Sequence, residues 1–344
     1  MTTKLKLTLL TSDQVVGENQ LNIFKIYGTK CAITDFVRAL GGTSDWTKYS
    51  KEGRNLKNRA GAWRLKDFNP NKAINICTKS ITPKGTCEET PINKRDIGIR
   101  PIISYSQIKD KITNESYIYG LKQVEFGEYP GDIENEAISE LLEEKFQNKT
   151  LIKTGKTYTT DSIDDYFKGI PFKPREFEEY EYKGFKYIRF VGEFINHGYT
   201  LSDNRTIFSP NGYWIKVEPI EWLVDEENDI AITKKIIVSG IQFDLNCTKN
   251  NTTFEETNIK KYLDNYLKKD IIPSITKTKK EKIDLPQTEK RNYLINLAVT
   301  KKEYQKIKKF ILSLNPEYET EFEIEPYPSL EHQKVKTKTM ETKY

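Results

Sequence analysis

Four cysteines, two histidines and a scatter of aspartates are the residues here that could do chemistry, and their spacing decides which kind. Cys31, Cys77, Cys87 and Cys247 form no C-x-x-C pair, and His197 and His332 stand far apart, so the ligand spacing of a structural zinc site is not met. Cys77 and Cys87, ten residues apart, have the separation to close a small loop in an oxidising compartment; the simpler reading is two ordinary thiols. Asp161, Asp164 and Asp165 surround Ser162 in the manner of a calcium loop. No glycine stands at its sixth position and no glutamate at its twelfth, which leaves a capping or solvated role. Asp225 and Asp229 bracket a charged hairpin tip. His197, in Ile195-Asn196-His197-Gly198-Tyr199, has no serine or cysteine motif to mark a partner and reads as a turn residue. G-x-S-x-G, G-x-x-x-x-G-K-[ST] and G-x-G-x-x-G are all missing from the sequence. Nothing is assembled for catalysis, and no metal or cofactor is expected.

The elements that would position any site follow from periodicity. Leu5, Leu7 and Leu9 alternate like a strand, and residues 24–28 read as a second strand ending at Gly28. Residues 33–42 read as a short helix capped by Thr34 or Asp35 and stopped by Gly41 and Gly42. Residues 43–96 carry few periodic apolar runs, too long a stretch for an idle loop, so the segment is an ordered irregular region, a binding surface or disordered, and the apolar anchors at 61–65 and 97–103 favour order. Residues 97–103 form an apolar strand whose Pro101 demands an edge or a bulge. After a polar connector over 104–123, residues 124–130 form a short strand stopped by Pro130, and 134–146 a helix. Residues 177–182 and 185–191 flank Lys183-Gly184, a hairpin turn. Residues 213–218, 220–224 and 230–232 read as further strands, and 254–267 as an amphipathic helix with Ile259, Tyr262, Leu263, Tyr266 and Leu267 on one face.

Length and charge bound the rest. At 344 residues the chain should hold about two domains, or one domain with large additions. With 12% aromatic residues it can build a core, and its composition excludes a collagen-like chain, a coiled coil and a disulfide scaffold. A net charge of +5 is too small and too mixed to argue for nucleic acid. No run approaches the roughly 18 consecutive apolar residues of a membrane span. The first residues soon meet Ser12, Asp13 and Gln14, so no signal peptide is expected, which suits a cytoplasmic or particle-borne protein. Residues 276–309 turn basic and could dock nucleic acid or an acidic surface; a solvated helical face is the simpler reading. Tyr318, Thr320, Phe322 and Ile324 alternate with glutamates as a strand, and 331–344 read as a frayed polar tail.

Two stretches carry a resemblance. The first is Gly53-Arg54-Asn55-Leu56-Lys57-Asn58-Arg59-Ala60-Gly61-Ala62-Trp63, closed by Ile97-Gly98-Ile99-Arg100-Pro101-Ile102-Ile103. Together they resemble the signature of formylglycine-generating-enzyme-like domains with a C-type-lectin fold, in which a G-x-W strand opens an irregular insert and a G-[VIF]-R-P strand closes it. That class includes the variable proteins of diversity-generating retroelements, whose insert is a hypervariable ligand-binding face. Val124-Glu125-Phe126-Gly127-Glu128-Tyr129-Pro130, Thr154-Gly155-Lys156-Thr157-Tyr158-Thr159-Thr160-Asp161-Ser162, Glu178-Glu179-Tyr180-Glu181-Tyr182 and Val217-Glu218-Pro219-Ile220-Glu221-Trp222-Leu223-Val224 resemble related gut-bacterial and phage proteins. With Asn258-Ile259-Lys260-Lys261-Tyr262-Leu263, the resemblance spans roughly residues 20–272.

The resemblance implies an α+β fold of C-type-lectin-like mixed antiparallel sheets with few helices, followed by a basic helical region. The expected domains are a lectin-like unit over 1–110 with its insert at 43–96, a related unit over 120–275, and a basic extension over 276–344. Catalytic members need a copper-binding cysteine pair near the end of the domain, which Cys77 and Cys87 do not supply. The expectation is therefore a non-enzymatic binding or display protein. Its partner would be a protein or carbohydrate on a surface, met by Arg54, Asn55, Asn58, Trp63, Arg64, Lys66, Asp67, Asn69, Lys72 and Asn75. Trp63 is either a rigid anchor in that face or a residue packed beneath it. The alternative is a structural or receptor-binding component of a phage particle, assembled as a homo-oligomer.

Overall fold

The computed structural model describes residues 5–42, 60–69, 77–161, 172–193, 198–244, 253–283, 322–326 and 333–337. Leu7 and Leu9 are buried as expected, but the segment runs extended without a full ladder and makes one bridge, Thr8 to Ile102. Thr11 opens α1 (Ser12–Val16) with a capping box: its side chain accepts from the Gln14 amide, and the Gln14 side chain reaches back to the Thr11 amide. Residues 24–28 are not a strand. They belong to the helix α2 (Asn22–Tyr27), whose apolar run is too short for periodicity to separate the two states. Cys31–Ala32 (β1) follows, then α3 (Asp35–Ala39), where the Thr34 side chain accepts from the Val37 amide as the capping pattern predicts.

Ala60–Gly61 (β2) pairs with β1, and Trp63–Asn69 (β3), Cys77–Ile81 (β4) and Cys87–Pro91 (β5) form a three-stranded antiparallel sheet. The described part of the stretch expected to be irregular is therefore largely regular. Its alternation escaped a hydrophobicity count because the buried positions of β4 include Thr78 and Ser80, each 1% exposed, which read as polar.

Ile102–Ser104 (β6), Asn114–Ile118 (β7), Leu121–Ile133 (β8), α4 (Glu136–Gln147), Ile152–Asp161 (β9), Pro174–Tyr182 (β10), Phe185–Val191 (β11), Gly212–Asp225 (β12) and Ile230–Thr233 (β13) follow in order. Their eight strands make one antiparallel sheet, ordered β6-β13-β12-β11-β10-β9, with β8 pairing β12 and β7 pairing β8. The β10–β11 hairpin turns at Lys183 and Gly184, both at positive φ (48° and 77°), the mirror-image turn that suits twisted strands. β8 does not stop at Pro130. The register against β12 shifts between Ile215 and Val217, opposite Ile133 and Pro130, and a bulge tolerates a residue without an amide hydrogen. Residues 213–224, expected as two strands, are continuous in β12 through a second register shift between Pro219 and Glu221. The expected helix over 254–267 begins as a 3₁₀ turn, becomes α5 (Asn258–Tyr262), widens to a π-turn over Leu263–Leu267 and ends as α6 (Lys268–Asp270).

Alternation along β12 places Trp222 and Val224 in a large core with Phe36, Tyr129 and Phe243, and Leu223 in a second core with Trp63, Leu65 and Ile236. The sheet is thus covered on both faces at this end. α4 lays Leu142 over Trp214, Tyr180 and Tyr187 as a third, smaller cluster.

No boundary falls between residues 110 and 120: β6, from the first expected unit, pairs with β13 of the second, and one compact unit runs to Glu281. The helices expected at 293–299 and 304–314 in the basic region lie outside the described residues, and 276–283 carries no helix. A second unit includes Phe322–Pro326 (β14) and Gln333–Thr337 (β15), which pair antiparallel with Glu323 opposite Lys336 and Glu325 opposite Lys334. Part of the segment expected to fray is therefore a strand. Among the described residues no helix is long and apolar enough to cross a membrane.

Candidate functional site

The two motif segments that opened and closed the expected insert lie side by side. Trp63 bridges Gly98 in parallel; the Arg64 amide donates to the Gly98 carbonyl (2.9 Å) and the Gly98 amide to the Ala62 carbonyl (2.8 Å). A Cβ at residue 98 would come within 2.2 Å of the Ile236 side chain, so glycine is what permits this approach. Trp63 stacks on Phe24 with ring centres 6.0 Å apart and donates from Nε1 to the Thr29 carbonyl (3.2 Å). Arg64, also fully buried, donates from Nη1 to Thr78 Oγ1 (2.8 Å) and from Nη2 to the Lys94 carbonyl. Burial pulls its guanidinium down to about 10, against the nearby Asp96 carboxylate.

These contacts sort the sequence-derived candidates. Trp63 and Arg64 are 0% exposed, so neither can touch a ligand; they bolt the small sheet to the core. Of the two roles open to Trp63, packing beneath the face is the one it has. Lys66 and Asp67 are half-buried: Lys66 Nζ lies 5.1 Å from the centre of the Phe254 ring, and Asp67 Oδ2 accepts from the Ser12 amide (2.5 Å) at the start of α1. Asn69 ends β3 opposite Cys77. Arg54, Asn55, Asn58, Lys72 and Asn75 lie outside the described residues.

Beside this sheet is a groove of 490 Å³ lined by Ser12, Asp13, Val16 and Gly17 from α1 and its end, and by Lys79, Cys87, Glu88 and Glu89 from β4 and β5. Lys79 Nζ donates to Ser12 Oγ (3.1 Å) and ties the two walls together. Sequence reasoning missed Asp13, Lys79, Glu88 and Glu89. The available signal was the two-residue alternation of Lys79 with buried Thr78 and Ser80. Burial raises the Cys87 thiol, with Lys79 pulling against it, so this thiol is a poor nucleophile at neutral pH.

The register also settles the cysteine pairing. Cys77 lies opposite Pro91 and Cys87 opposite Ile81, four residues apart along β4 or about 13 Å, well beyond disulfide reach. Both thiols are free.

A second concavity, 290 Å³, lies along the irregular pairing of β8 with β12, lined in part by Asp132, Glu218, Glu221 and Lys235. Lys235 Nζ donates to Asp132 Oδ2 (2.8 Å), and the Asp132 amide donates to Glu218 Oε2 (3.3 Å). Burial raises the Glu218 carboxyl, with Asp132 adding to the effect. Burial alone would lower the Lys235 ammonium, but Asp132, Glu218 and Glu221 together outweigh it and hold Lys235 above its ordinary value. Behind them Asp35 accepts from the Ser202 and Ile133 amides (2.8 and 3.0 Å), its carboxyl raised by burial against the pull of Ser202. The cluster is a mixed-charge corner that fastens α3 to β8. Among the described residues no group of three or more histidines, cysteines, aspartates or glutamates is placed to hold a metal ion.

No protein-family model, curated protein or solved structure matches this chain.

Proposed function

We propose that this chain is a non-enzymatic ligand-binding and display protein. Its recognition face would be the small sheet β3–β5, the groove beside it, and the adjoining residues 54–95. The observation that carries this reading is a division of labour within one sheet. Trp63, Arg64, Leu65 and Ile81 are each 0% exposed, while Lys79, Glu88 and Glu89 on the same sheet border an open groove. A platform held from below can vary its outer side chains without disturbing the core. The antiparallel architecture with few helices is compatible with a C-type-lectin-like scaffold, and a protein or carbohydrate displayed on a surface is the ligand that this class of face suits.

The test is a panel of immobilised proteins and glycans probed with wild type and with a Lys79→Glu, Glu88→Lys double variant. A ligand bound by wild type and lost by the variant, at an unchanged unfolding midpoint, is the expected result. A ligand that the variant binds equally well places recognition elsewhere. In the flanking DNA, a near-identical repeat with adenine-directed mismatches beside a reverse transcriptase would add independent support.

A further inference from the structure

The far end of the large sheet is covered by a strap, residues 272–281, that has no regular secondary structure and yet is tied down along its whole length. Its own apolar side chains do not hold it: Ile272 is 43% exposed and Ile275 87%. What holds it is charge meeting main chain. Lys156 Nζ donates to the Ile272 carbonyl (2.7 Å) and Lys186 Nζ to the Ser274 carbonyl (2.7 Å). Glu181 accepts the Lys277 and Thr278 amides, one on each oxygen (2.8 and 2.7 Å), together with the Thr278 hydroxyl. The Glu281 amide donates to the Lys183 carbonyl (3.0 Å) at the β10–β11 turn. The Ser274 hydroxyl donates to Glu179, whose other oxygen takes the Tyr158 hydroxyl.

Beneath the strap, Glu179, Glu181 and Lys186 are 0, 1 and 7% exposed. Three charged side chains on the inner faces of β10 and β11 are thus desolvated against a segment that offers them peptide groups and two hydroxyls. A hydrophobic docking site would instead bury Ile272 and Ile275. Gly184 belongs to the same design: a Cβ there would meet the Lys279 and Lys280 backbone at 2.5–2.6 Å, so glycine leaves the strap room to pass.

We infer that the end of the β9–β11 sheet is a peptide-binding groove that reads the main chain of an extended segment, with hydroxyl side chains four residues apart, and that residues 272–281 fill it in cis. Lysine ammoniums supply the donors for carbonyls and Glu181 supplies the acceptor for amides, so the fitting partner is an extended peptide with Ser or Thr at the two hydroxyl positions. The same segment from a second copy meets that description, because an exchanged segment makes the contacts it makes in cis.

The test uses the full chain and a fluorescent synthetic peptide with the sequence of residues 270–283. A tethered strap competes at an effective concentration in the millimolar range, so wild type should bind the peptide weakly. A Ser274→Ala, Thr278→Ala chain, its own strap loosened, should bind at least tenfold more tightly by fluorescence anisotropy. Adding Glu181→Gln, which replaces one accepting oxygen with a donor, should remove that gain. No binding to the loosened chain up to millimolar peptide, or binding indifferent to Glu181→Gln, overturns the inference. Should the loosened chain fail to fold, hydrogen exchange on wild type decides: the Lys277, Thr278 and Glu281 amides must open more easily than those of β12, and equal protection overturns the groove.

Discussion

The guanidinium of Arg100 lies 5.2 Å from the centre of the Trp63 ring, with the Phe24 ring 5.6 Å away, both rings belonging to the second core. Arg100 Nε donates to the Thr233 carbonyl (2.7 Å), while Nη1 and Nη2 are buried with no hydrogen-bond partner. Burial pulls the guanidinium below its ordinary value. A cation beside two stacked rings gains from them but remains desolvated, so packing rather than charge should dominate its worth. Trp63→Ala should cost about 3–5 kcal/mol in urea unfolding. Arg100→Met, which keeps the volume and removes the charge, should cost about 1 kcal/mol or less. If both variants lose equal stability, the charge itself holds the platform.

Because β4 and β5 place Cys77 and Cys87 about 13 Å apart, neither thiol should be protected by the other. Alkylation of the denatured protein without reductant should modify Cys77 and Cys87 as fully as with it, by peptide mass mapping. Cys77→Ser and Cys87→Ser should leave the melting temperature the same whether or not reductant is present. A mass two hydrogens lower for a joined Cys77–Cys87 peptide would contradict the observed register.

How much of this was legible in sequence follows from what each segment buries. Thr34 announced α3, and Lys183-Gly184 announced the β10–β11 turn, because a capping hydroxyl and a positive-φ pair are local devices that need no tertiary partner. α2 was misread because five residues ending at a glycine fit either period, and only packing of Ile23 and Phe24 into the second core decides. β4 was missed because it buries Thr78 and Ser80. β8 was cut short because Pro130 forbids a regular ladder, and the bulge that accommodates it depends on β12, nearly ninety residues away. The groove was only half visible: the β4 and β5 wall, with Lys79, Glu88 and Glu89, lay within the anticipated segment 54–95 without being singled out, but Asp13, on the opposite wall, lies on a helix more than sixty residues before Lys79.

On the recognition face, stability and binding should separate. Glu88→Lys and Lys79→Glu alter partly exposed strand positions and should move stability by no more than about 0.5 kcal/mol while changing ligand preference. Thr11→Ala, by contrast, removes the side-chain cap of α1, which forms the other wall, and should cost about 1 kcal/mol. Urea unfolding of the three variants beside ligand binding checks the separation. A face residue as costly as the cap would belong to the core rather than to the surface.

Asp270 gives the fold a pH dependence of definite sign. Its Oδ2 accepts the Thr159 amide (2.7 Å), and burial pushes its carboxyl from 3.8 up to about 7, against the pull of that hydrogen bond and of Lys156. The folded state therefore holds a proton on Asp270 between pH 4 and 7 that the unfolded chain has already released. Stability from this group is fully present below about pH 4 and is lost as pH rises through 7, when the folded protein must carry a buried carboxylate. A shift of this size corresponds to at most about 4 kcal/mol. Asp270→Asn retains an accepting oxygen for Thr159 but cannot ionise. Its stability relative to wild type should rise steadily between pH 4 and pH 7 and level off above that, in urea titrations at fixed ionic strength. Lys156, drawn down to about 8 by burial against the pull of Glu179 and Glu128, works in the opposite sense at higher pH. A depressed ammonium costs stability when charged, and that cost is relieved as pH rises through 8. Wild type should consequently show a shallow stability minimum between pH 7 and 8; Asp270→Asn should remove its acid side and, by taking away a carboxylate that supports the Lys156 ammonium, start the basic side at lower pH. A flat difference between the two proteins from pH 4 to 8 would mean that Asp270 is hydrated in solution and ionises at its ordinary value.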